Sequence, residues 1–174
     1  KNDQIRYPME NALGPPNYQA DRSLYAEHIS NLGIGGQLTL KFTDNALVDV
    51  EGTDLYVFEI GAIEPTLLEV SENGKVWIEV GKIQGGTAEV DIKGKVKKNV
   101  AYKYVRLTDL HHGSAIPGAD IDAVAAIGSV IHFDINSEVL FKFGKSDLSE
   151  KGKAAIKDLA QQLIDINQGK VKIT

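Results

Sequence analysis

From Gln37 to Leu107 the chain is written in short apolar segments parted by Gly, Asn and Asp. Gln37-Leu38-Thr39-Leu40-Lys41-Phe42 alternates polar and apolar side chains. That period of two puts one face of a strand into a core and the other into water. Asp54-Leu55-Tyr56-Val57-Phe58-Glu59-Ile60 is nearly all apolar between two acids, which predicts a strand covered on both faces. Thr66 to Val70 continues the series. Ser71-Glu72-Asn73-Gly74-Lys75 predicts a turn, because Asn-Gly supplies the positive φ values that tight hairpins require. Val76-Trp77-Ile78-Glu79-Val80, Thr87 to Ile92 and Ala101 to Leu107 complete the run. Many short strands with turn signals between them predict a β-sandwich or jelly roll over residues 12–128.

Beyond Ser129 the style changes. Glu138-Val139-Leu140-Phe141-Lys142-Phe143 predicts a strand. Ser149 stands as an N-cap, and a helix follows from Glu150 to about Asn167. Its apolar residues Ile156, Leu159, Leu163 and Ile166 recur at helical spacing. Gly169 sits where a C-terminal cap belongs, and Val171 to Thr174 opens a further strand. Strand, helix, strand is one βαβ or split βαβ unit over residues 129–174. The expected class is therefore mainly β, a sandwich followed by a partial α+β segment.

Composition narrows the function. The 174 residues are 43% hydrophobic and 25% charged, enough for an ordinary core. The formal net charge of −5, with no Lys/Arg cluster, argues against a nucleic-acid partner, which calls for a basic footprint. Lys93 to Lys98 alternates around Gly94 and Val96 and reads as a solvated strand or turn face. No cysteine is present, so disulfides and thiolate metal sites are excluded. No apolar run approaches the roughly 18 residues of a membrane-spanning helix. Lys1-Asn2-Asp3-Gln4 lacks the basic and apolar regions of a signal peptide, so an exported form is expected to have lost its signal before this start.

Ile131 to Leu148 is similar to the opening of OmpA-like domains. That family begins with a strand carrying Ser-x-Val-Leu-Phe-x-Phe, then a short loop with Lys and a Leu, then its first helix. Ser137 to Phe143, Lys145 and Leu148 fall in that order, and Lys153 to Leu163 and Val171 to Thr174 follow suitably. Lys142 departs from the acidic or amide residue usual at its position. The resemblance implies binding of peptidoglycan through its diaminopimelate group, in the periplasm or at the outer membrane of a Gram-negative bacterium. The family's ligand contacts are an Asp in a Gly-His-Thr-Asp-like stretch and an Arg on a later helix. That stretch should begin at Thr174, so no peptidoglycan-binding residue is assigned within these residues, and the natural protein is expected to be longer.

Ala12 to Asn17, Ser30 to Phe42, Asp54 to Glu59, Val70 to Trp77 and Tyr104 to Asp109 together resemble bacterial cell-surface jelly-roll modules. Those are related in general form to galactose-binding-like and discoidin-like domains. This resemblance implies a binding module, sometimes with structural calcium, and no catalysis.

The acids are the most informative polar residues. Asp54 and Glu59 bracket a buried strand. Asp120 and Asp122 are two apart, so in extended chain both carboxylates point to one face. Calcium takes six to eight oxygen ligands from loop carboxylates and carbonyls, so Asp54, Glu59, Asp120 and Asp122 are the candidate calcium ligands. The competing reading is that these acids cap turns. His111 and His112 are neighbours without a metal-binding partner set, and read as loop residues. Gly33-Ile34-Gly35-Gly36 and Gly85-Gly86 match neither phosphate-binding fingerprint and read as turns. Ser23, Ser30 and Ser114 lack a nucleophile-elbow setting, so no catalytic residue is named. Trp77 is either core or a ligand-stacking surface.

The expectation is a non-enzymatic envelope protein: a β module that displays a binding surface, fastened to peptidoglycan by an OmpA-like part. The alternative is a carbohydrate-binding or carbohydrate-processing protein acting on envelope glycans. A purely structural spacer is the third reading.

Overall fold

The computed structural model describes residues 7–18, 25–110, 117–131 and 147–168. Its contacts divide the chain into two compact units, residues 1–131 and 132–174. The protein is mainly β. In the first unit, β1 (Ser30–Asn31), β9 (Asp120–Ala126), β4 (Leu55–Glu59) and β7 (Thr87–Val90) form one antiparallel sheet in that order. β2 (Gln37–Lys41), β8 (Tyr104–Asp109), β5 (Thr66–Ser71) and β6 (Ile78–Ile83) form a second. A short pair, β3 (Asn45–Leu47) with β10 (Ser129–Ile131), completes the described strands. A 3-10 turn at Met9–Ala12 and one helical turn, α1 (Tyr25–His28), precede them.

The pairings nest. β5 pairs with β6, and outside that hairpin β4 pairs with β7, β2 with β8 and β1 with β9. A ribbon of nested antiparallel pairs, rolled so that alternate pairs fall into opposite sheets, is the jelly-roll topology. Rolling is driven by the alternation of apolar side chains. β4 and β8 read buried, half-buried, buried along their lengths. Leu55, Val57, Val90 and Ile121 from one sheet meet Leu38, Leu68, Val70, Val105 and Leu107 from the other in a single core. Tyr102 is fully buried beside them and bridges to Leu47.

Several local expectations shift. Asp54–Ile60 is not covered equally on both faces, because Tyr56 and Phe58 lie half-buried and stacked with ring centroids 6.1 Å apart. The Asn73-Gly74 turn is wider than a two-residue hairpin. Asn73 Oδ1 accepts from the Lys75 and Val76 amides, only Gly74 of the two has positive φ (71°), and β6 starts at Ile78. β6 then carries a bulge, since Leu68 pairs with Gly81 and Glu69 with Glu79. Gly81, at φ 132°, supplies the backbone that the bulge requires. β9 and β10 fall where loop and boundary were expected.

In the second unit, α2 (Glu150–Gln168) occupies the expected helix. The Ser149 hydroxyl accepts the Gly152 amide at 2.9 Å and the Ser149 carbonyl accepts that of Lys153, which is an N-cap. The expected strands at Glu138–Phe143 and Val171–Thr174 lie outside the described residues, as do His111, His112, Ser23 and Ser114. Among the described residues no helix is long and apolar enough to cross a membrane.

Candidate functional site: the buried carboxylates

The jelly roll buries an unusual set of acids: Asp54, Glu59, Glu64, Asp109, Asp120 and Asp122 are each at most 5% exposed. A buried carboxylate must find hydrogen bonds or a counter-charge. Their partners sort them.

Asp54 enters β4. Its Oδ1 accepts the Val50 amide at 2.7 Å and its Oδ2 the Ile92 amide at 2.9 Å. It thereby staples the loop before β4 to the chain leaving β7. Its carbonyl accepts from Ile127 and Gly128 in the β9–β10 turn. A Cβ on Gly128 would lie 2.7 Å from Asp54 Oδ1, so this packing needs glycine. Carboxylate oxygens of Asp49, Asp54 and Asp91 lie within 4.8 Å of one another, and Asp49 Oδ2 is buried with no hydrogen bond. Asp91 is exposed and accepts the Lys93 amide.

Asp122 accepts the Asn17 and Tyr18 amides, one on each oxygen, and so pins the N-terminal segment. Phe58 pairs with Ala123 and Glu59 with Ile121, which makes Asp122 the extra residue of a β9 bulge. Simple alternation from Asp120 to Asp122 therefore fails, and the two acids serve different partners. Asp120 Oδ1 accepts from the Asn31 side-chain amide at 2.6 Å. Asp109, not singled out in the sequence, accepts the Gly35 and Ala119 amides at the end of β8.

Glu59 ends β4. Its Oε2 accepts the Gly86 amide at 2.5 Å, and the Glu64 backbone amide lies near enough to the carboxylate to lower its pKa. Oε1 is buried with no hydrogen-bond partner, and Glu64 Oε1 is in the same state. Burial, with the Asp120 and Glu64 charges adding to it, pushes the Glu59 carboxyl up to about 7 against the two amides that pull it down. Gly85 roofs this place. A Cβ there would meet Glu59 Oε2 and the Glu64 nitrogen at 2.6 Å and the Glu64 carbonyl oxygen at 3.0 Å.

The four acids expected to act together are thus divided. Glu59 and Asp120 share one locality, with Glu64 as a third member, while Asp54 and Asp122 are bound into separate backbone staples. Ser30 is a staple of the same kind, accepting the Ala12 amide and donating to the Pro8 carbonyl.

Trp77 is half-buried at the outer face of the second sheet. Arg106 Cζ lies 4.2 Å from its ring centroid, and the guanidinium forks onto Glu69 at 2.6 and 2.7 Å. The Glu69 hydrogen bonds raise the Arg106 pKa further. One face of the indole is therefore occupied by a paired cation, a geometry that holds the β5–β8 surface together.

Compared with known proteins, the chain matches no family model, no curated protein and no solved structure.

Proposed function

We propose that this chain is a non-enzymatic protein of the Gram-negative cell envelope, a jelly-roll binding module fastened to peptidoglycan through an OmpA-like domain. The observation that carries the reading is the order Ser137 to Phe143, Lys145, Leu148 and then a helix capped by Ser149, in a unit separate from the jelly roll. The buried acids of the module also favour binding over catalysis. Asp54, Asp109 and Asp122 spend both oxygens on backbone amides, which fixes loops and leaves no acid–base pair at those positions. Affinity would then rest on hydrogen bonds and surface complementarity of the loops that the staples hold.

Sedimentation of the full gene product with purified diaminopimelate-type peptidoglycan tests the reading. Retention is expected, with release by soluble diaminopimelate-containing muropeptide. A protein that stays in the supernatant at physiological salt overturns the anchoring.

A further inference from the structure

Three aspartates meet where the chain enters β4 and leaves β7. One carboxylate oxygen from each of Asp49, Asp54 and Asp91 lies within 4.8 Å of the other two. That span is about twice a calcium–oxygen contact of ~2.4 Å, so a single ion between them reaches all three. Asp54 is fully buried, and the Val50 and Ile92 amides on its two oxygens fix its carboxylate between the β3–β4 loop and the end of β7. Each of those oxygens keeps a second lone pair. Gly128, in the β9–β10 turn, packs against the same place, since a Cβ there would come within 2.6 Å of the Val48 carbonyl oxygen and 2.7 Å of Asp54 Oδ1. Backbone amides account for Asp54, but not for Asp49, whose Oδ2 is buried and accepts no hydrogen bond. Asp91 is exposed at the rim, with the Lys93 amide on its Oδ1. Among the described residues no Lys, Arg or His forms an ion pair with any of the three. A shared proton would answer one of their charges. A divalent cation answers the orphaned oxygen and the repulsion among all three carboxylates together.

We propose that Asp49, Asp54 and Asp91 bind one divalent cation of the calcium class. The group is all carboxylate, with no histidine or cysteine in it, which disfavours zinc. Calcium accepts six to eight oxygens in irregular geometry, from carboxylates, carbonyls and water. The exposed side at Asp91 leaves room for the water. Magnesium gives up its waters reluctantly and is usually held by one or two carboxylates. Of the four acids expected as calcium ligands from the sequence, Asp54 alone belongs to this group, and its companions come from the loop before β4 and the residue after β7. The ion fastens those two segments across the end of the first sheet, beside the contact that the Asp54 amide bonds already make. The site goes beyond the envelope reading and does not depend on it.

Thermal unfolding of the 174-residue chain, in chelator and in calcium chloride, tests the site, with calorimetric titration giving the stoichiometry. One calcium per chain is expected. At about 100-fold above Kd, calcium should raise Tm by about 5–10 °C. Equimolar magnesium should do much less. Asp49→Asn should unfold in chelator at a temperature no lower than the parent, because it removes a charge from the group, yet lose the calcium response. Asp91→Asn, at an exposed position whose side-chain oxygen can still accept the Lys93 amide, should fold and lose the response likewise. Asp44→Asn, at an exposed acid between β2 and β3, should keep it. The proposal is overturned if the parent shows no calcium response or responds equally to magnesium. It is equally overturned if Asp91→Asn keeps the whole response, or if Asp44→Asn abolishes it.

Discussion

Glu59 is the residue at which burial and charge disagree most. Its carboxyl is pushed from 4.5 to about 7, first by burial and then by Asp120 and Glu64. Its folded form therefore holds a proton that the unfolded chain has already released. The contribution is complete below the unfolded value and is lost as pH rises through the folded one. In chelator, stability should fall by about 3 kcal/mol between pH 4.5 and 7.5 on this account alone. Urea midpoints across that range measure it, and Glu59→Gln should flatten the fall. A parent that gains stability over the same interval would contradict the assignment. Glu59 was legible in the sequence because it stands at the edge of an apolar segment, where a carboxylate needs a reason, and Asp120 because it is spaced two residues from Asp122. Glu64 was not. In Gly61-Ala62-Ile63-Glu64-Pro65 it is a lone acid in a loop, and its burial follows from the fold, which packs Gly85 of the β6–β7 turn against its backbone. Asp109 was missed for a related reason, since its strand was expected to end at Leu107.

Elements were legible where alternation was strong. β2, β4, β5 and β8 were each located to within a few residues, because their apolar side chains recur at the strand period over five or six positions. β9 was not recognised. Asp120, Asp122, Ala123, Ala125 and Ala126 are poor strand formers, and its pairing to β1 and β4 is imposed by the roll of the ribbon around it. β1, β3 and β10 are two or three residues long and carry no period to read. In α2 the signal was the cap as much as the apolar spacing. Ser149 satisfies the Gly152 amide, one of the donors a helix start leaves free. Ser149→Ala should weaken the first turn by about 1 kcal/mol. Faster amide exchange at Gly152, with the jelly-roll amides unchanged, is the expected observation, and equal protection in both proteins would show that the cap contributes nothing.

At the scale of the whole molecule, the jelly roll is self-contained in its pairings. Its core runs from Ala12 to Ala126, and each paired strand finds its partner within residues 30–131. Among the described residues, no strand pairing and no core residue is lost if the chain is cut after Ile131. A fragment of residues 1–131 should therefore fold alone, with the near-ultraviolet spectrum of the jelly roll and a single unfolding transition. Its urea midpoint should match that of the corresponding transition in the longer chain. The nested pairing also sets its character. β1 and β9 are close in space and far apart in sequence, so the fold closes slowly and as a unit, with the β5–β6 hairpin the most local pairing. A lesion in the shared core must then weaken both sheets together. Leu107 is fully buried in β8, between β2 and β5 and facing the other sheet's core residues. Leu107→Ala in the fragment should cost roughly 2–5 kcal/mol by opening a cavity there. The loss should appear equally by near-ultraviolet signal, by Trp77 fluorescence from the second sheet and by exchange at β4 amides from the first. Separate midpoints for the two sheets would show that the sandwich does not unfold as one cooperative body.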